Sequence, residues 1–95
     1  MGLFGGPSKK VLDNITTGIA ATIMEEYIKN KFQNNEFYFE IFSNITTTAQ
    51  ELKIGFFGKA RYLAMIRAKL ILLGMPEVDA DYIQGLLEIE IQKVL

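Results

Sequence analysis

The chain has 95 residues, 49% of them hydrophobic and 22% charged, with a formal net charge of −1. That length leaves room for one domain around one core, and the composition is that of a chain that folds rather than one that stays disordered. Cysteine and histidine are both absent, which excludes disulfides, thiolate nucleophiles, imidazole metal ligands and any Ser-His-Asp or Cys-His pair within this chain.

Residues 1–7 read as a flexible Gly-rich arm carrying two apolar side chains, Leu3 and Phe4, ahead of a single helical domain over 8–95. Gly2 fits a myristoylation signal, but Gly6 stands where Ser or Thr is wanted. Lys9 and Lys10 follow the arm, and Asp13 and Asn14 interrupt what comes next, so no secretory signal is expected.

Ser8 is placed to cap a first helix, in which Val11, Ile15, Ile19, Ile23 and Tyr27 recur every four residues beside Leu12, Ala20, Met24 and Ile28. Thr16, Thr17 and Gly18 are poor helix formers and mark a place for a kink, and the helix is expected to fade by Phe32 or Gln33. Residues 36–54 fit a second helix, with Tyr38, Ile41, Ile45, Thr48 and Leu52 on one stripe, Asn35 as cap and Gly55 as stop. The aromatic run Phe37 to Phe42 suits a strand as well, so the alternative is a hairpin within 36–48 turning at Ser43-Asn44. The expected fold is all-α, a bundle of about four helices; with the hairpin it becomes α+β.

A third helix is expected from Gly58 to Leu73, stopped by Gly74 and Pro76. Leu63, Ile66, Leu70 and Leu73 form one apolar face, while Ala60, Ala64 and Ala68 form a second stripe, with Ile71 near it, that would let another helix approach closely. A helix apolar on two sides belongs inside a bundle or an interface. The fourth helix is expected to start at Asp79, with Val78 stapled onto Ile83, and to bury Ile83, Leu86, Leu87, Ile91 and Val94. The stretch 54–75 carries Lys59, Arg61, Arg67 and Lys69, each costing about 2.5–3.5 kcal/mol at the centre of a bilayer, so it is not expected to span one.

Two features invite a functional reading. Gly55-Phe-Phe-Gly58-Lys59 before a helix could offer backbone N–H groups to a phosphate, although its spacing is not that of a Walker loop; it is somewhat like the Gly-x-x-Gly loop of KH domains, with Phe56 and Phe57 where polar residues are wanted. A turn between helices is the simpler account. Lys53, Lys59, Arg61, Arg67 and Lys69 form a basic run, followed by acids at Glu77, Asp79, Asp81, Glu88 and Glu90. The basic run can serve nucleic acid, or the two helices can neutralise each other, and helical spacing favours the latter by splitting the cations between two sides. Ser8, Ser43 and the carboxylates do not combine into a catalytic group, so neither an enzyme nor a cofactor nor a metal site is expected.

From about Ala49 onward the pattern resembles the soluble C-terminal region of phage holins of the LLH type. Gln50-Glu51, Gly58-Lys59, Leu63, Leu70 and Gly74 precede Ile83, Leu86, Leu87, Glu88, Ile91 and Val94, as a helix, a Gly-x-x-Lys-like turn and two further helices do there. The resemblance implies a phage or prophage origin, without the spanning helix of a pore-former. The expected function is a non-catalytic structural or assembly protein, plausible as a small virion component. Its interface would include Leu3, Phe4, Ala60, Ala64, Ala68 and Ile71, and its partners would be copies of itself or neighbouring subunits, with no small-molecule substrate. The alternatives are a nucleic-acid-binding accessory protein using Lys53, Lys59, Arg61, Arg67 and Lys69, and a regulator that masks a partner protein. A cytoplasmic location, with incorporation in a virion, completes the expectation.

Overall fold

The Ser8 Oγ accepts from the Val11 amide at 3.2 Å and caps α1, Lys9–Asn30. The computed structural model describes residues 8–94, apart from the side chains of Phe56 and Phe57. α1 runs without a break through Thr16-Thr17-Gly18, where a kink was the expectation. Thr16 is buried yet satisfied, because its hydroxyl donates to the Leu12 carbonyl at 2.7 Å, inside its own helix. The buried line is Leu12, Thr16, Ala20, Ile23, Met24 and Tyr27, whereas Val11 and Ile28 of the expected face are exposed. A strict four-residue repeat drifts around a helix of 3.6 residues per turn, which carries Val11, the start of one row, and Ile28, the end of the row beside it, out of the core.

α2, Asn35–Glu51, is capped by Asn34, whose Oδ1 accepts from the Phe37 amide at 3.1 Å. Residues 36–48 lie wholly within it, which removes the hairpin alternative; no strand occurs among the described residues. Strand alternation would bury Phe37, Phe39 and Ile41 together, but Phe39 is 73% exposed while Tyr38, Phe42, Ile45 and Ala49 turn inward at helical spacing. The cap is Asn34 rather than Asn35, and Gly55 does not end this helix. α2 stops at Leu52, Lys53 takes a positive φ of 57°, and Gly55 is the N-cap of α3, Phe56–Leu72. The Gly-x-x-Gly segment is thus the turn and first helical turn of α3. A Cβ on Gly58 would come within 3.1 Å of Ile54 Cγ2, so the glycine permits close packing of the turn.

Gly74, at φ +112°, ends α3 as expected, and α4 covers Glu77–Gln92 with Pro76 as its N-cap. Asp79 is therefore inside the first turn, with Glu77, and not the cap; Val78 is exposed and staples nothing. α3 packs chiefly on α1 and α4, and α2 on α4 and α1. The two remaining pairs share no extended packing, but each is joined by a tyrosine hydroxyl. Tyr27 of α1 donates to Asp79 of α4, and Tyr62 of α3 donates to the Ile45 carbonyl of α2 at 2.9 Å. The core between the helices is built on Ile23, Ile45, Tyr62, Ile66, Leu70, Met75, Ile83, Leu87 and Ile91, all essentially inaccessible. No helix among the described residues is long and apolar enough to cross a membrane.

Candidate protein-interaction surfaces

α3 buries Tyr62, Leu63, Ile66 and Leu70. At 100° per residue the opposite side carries Ala60, Arg61, Ala64, Ala68 and Leu72, all exposed, with Leu72 at 85%. Among the described residues the alanine stripe is therefore not covered by the other helices. Ile71 differs: it is half-buried and packs on the core, because it falls at the edge of that stripe beside the α1 seam. Leu3 and Phe4 lie outside the described residues.

The basic run does not stay together. Arg67 pairs with Asp81 through Nε and with Glu77 at 3.1 Å, both on α4, and the Asp81 hydrogen bond raises its pKa above the ordinary guanidinium value. Lys69 turns the other way, to Asp13 Oδ1 and the Asp13 carbonyl at 2.7 Å each and to Thr17 Oγ1 at 2.6 Å, all on α1. Lys53 sits in the α2–α3 turn and Arg61 on the outer face of α3, where no described residue pairs with it. The mutual neutralisation of α3 and α4 is thus observed for Arg67, while Lys69 neutralises α1 instead. No residue count along the chain could reveal the second partner, since Asp13 and Lys69 meet only through the tertiary fold.

The surface that sequence reading missed is on α4. Ala80, Ile83, Leu87 and Ile91 point inward, and directly opposite them stand Val78, Tyr82, Gly85 and Ile89. Val78 is 73%, Tyr82 53% and Ile89 57% exposed. Beside Ile89 a recess of about 120 Å³ opens between α4 and α2, lined by Phe39, Phe42, Leu86, Ile89 and Glu90. Tyr82 is steadied by Phe32, whose ring meets it edge-on at 4.9 Å. Single exposed apolar residues are normal on a soluble protein, but three along one helix line, next to a fourth, Phe39, from α2, form a continuous patch. The signal was present in the sequence as a second apolar period, overshadowed by the stronger period that builds the core.

A separate cleft of about 310 Å³ between α1 and α3 is lined by Asp13, Thr17, Lys69, Leu72 and Leu73. Its polar groups are spent on one another through the Lys69 ammonium, leaving the two leucines as its open wall. Among the described residues no group of three or more acidic side chains is arranged to hold a metal ion. Comparison with known proteins found no matching family model, no matching curated protein and no matching solved structure.

Proposed function

We propose that this protein is a non-catalytic structural or assembly component that works through the outward faces of α3 and α4. The observation that carries the reading is the exposed line Val78, Tyr82, Gly85 and Ile89 on α4, directly opposite that helix's core face. A small domain that leaves this much apolar surface in water gains by covering it, at roughly 25 cal/mol for each Å² removed from solvent. The holin-like pattern over residues 49–95 supports a phage or prophage setting, and a small virion or assembly component is the role that suits both. Sedimentation equilibrium over a hundredfold concentration range tests the reading. Growth of the average mass beyond one chain is expected, and Ile89→Glu should reduce it without altering the far-UV helical signal. Equal monomer mass for both proteins at every concentration would remove self-assembly as the function.

A further inference from the structure

We infer that the outward face of α4 in one copy seats antiparallel on the outward face of α3 in a second copy, so that copies join head to tail. The inference rests on the assembly reading above and specifies its contact. Both faces run along one side of a helix over nearly the same length: Ala60, Ala64, Ala68 and Leu72 on α3, and Ile89, Gly85, Tyr82 and Val78 on α4. Laid antiparallel, they match in register. Ala60 falls opposite Ile89, Ala64 opposite Gly85, Ala68 opposite Tyr82 and Leu72 opposite Val78. Large side chains of α4 thus meet alanines of α3 at two of the four positions, Ile89 on Ala60 and Tyr82 on Ala68, and between them Ala64 against Gly85 lets the backbones come closest. Packing among the described residues does not call for a glycine at Gly85, since an added Cβ there would meet nothing within 4 Å. Glycine inside a helix costs on the order of 1 kcal/mol relative to alanine, and close approach by a second helix is a reason to keep it.

Charge fixes the choice of partner face. α3 holds four basic residues and no acid, whereas α4 holds five acids and no base. In an antiparallel pair, flanking residues on the same side of each seam come together. Arg61, which no described residue pairs with, comes level with Glu90, whose in-chain partner is Lys93 at 2.8 Å, on one edge; Arg67 and Asp81, on the opposite edge, already pair within their own chain and add little across the contact. The competing arrangement, α4 against α4, would align Asp81 and Glu88 of one copy with the same acids of the next, and like charges there oppose it. A contact between two different faces does not close on itself, so copies add until a ring closes or a filament grows.

The test uses two variants at exposed positions, Ala64→Glu on the α3 face and Ile89→Glu on the α4 face. In sedimentation equilibrium the wild type should exceed two chains as concentration rises, while each variant alone stays at monomer mass with its helical signal intact. An equimolar mixture of the two should reach twice the monomer mass and stop there, because each chain keeps the face the other lacks. Arg61→Glu and Glu90→Arg should each weaken wild-type association roughly twofold to fivefold, the range of an exposed ion pair, and the double variant should recover it. If Ala64→Glu associates like the wild type, or the mixture stays monomeric, the α3–α4 pairing is overturned while assembly through another surface stands. A wild type that is monomeric throughout overturns both.

Discussion

The Tyr62 hydroxyl lies inside the core and donates to a mid-helix carbonyl, Ile45 O, that also serves its own helix. Tyr27 reaches across to Asp79, and Tyr38 donates to the Lys31 carbonyl at 2.5 Å, where it closes the end of α1. All three phenols are pushed up from the ordinary value of 10.0. For Tyr27 the Asp79 hydrogen bond is the main cause; for Tyr62 it is burial; for Tyr38 it is burial and then the Glu26 charge, which together move it to about 12. Each is therefore neutral in the folded chain at a pH where the unfolded chain has begun to ionise. Their contribution to stability is complete below pH 10 and is lost as pH rises from 10 through the folded values. For Tyr62, fully buried, ionisation removes at most about 1.4 kcal/mol per pH unit in that window, and for Tyr27 and Tyr38, closer to solvent, less. Alkaline titration monitored at 295 nm should show these three phenols ionising together with loss of the helical signal, not before it. Tyr62→Phe should cost about 1 kcal/mol in urea unfolding, as befits one neutral hydrogen bond, with the ring still filling its site.

At the scale of helices, the caps and stops show what could be read in the chain and what could not. Ser8 and Gly74 work as their residue types indicate, because a capping hydroxyl and a positive φ are local requirements. Asp79 has the right chemistry for a cap, yet Pro76, with the φ of −58° that its ring fixes, is the N-cap and the helix begins at Glu77, which leaves Asp79 inside the first turn to receive Tyr27. The basic cluster dissolved for a similar reason: whether Lys69 faces α4 or α1 depends on packing that its neighbours in sequence do not encode. Gly74→Ala should cost about 1–3 kcal/mol, since an L side chain is strained at that φ. Gly85→Ala should do the reverse, raising the stability of the isolated chain by up to about 1 kcal/mol, because the new methyl meets nothing. Thermal melts of the two at low concentration check the opposite signs.

For the whole molecule, the all-α class and helix number followed from periodicity, while the partnering of helices did not. Surface ion pairs hold little of the assembly: Arg67's carboxylates are more than half exposed, and such pairs are each worth about 0–1 kcal/mol. Core burial dominates, and Leu87→Ala should cost about 2–5 kcal/mol. Raising salt to 1 M should accordingly move the urea midpoint little, whereas it would abolish retention on nucleic acid if the basic residues served that purpose.

The packing of α1 on α3 joins segments separated by the whole of α2, with Lys69 reaching back to Asp13 across most of the chain. α3 and α4, by contrast, are neighbours linked by residues 73–76. Closing the short hairpin costs less chain entropy than bringing α1 home, so the order of events is written into the topology. The α3–α4 pair should form the folding nucleus, and α1 should dock after the rate-limiting step. Leu87→Ala is expected to act mainly by slowing refolding, and Ile23→Ala, in the middle of α1, mainly by speeding unfolding. A chevron plot for each, measured below the concentration at which copies associate, distinguishes this sequence from one in which α1 leads.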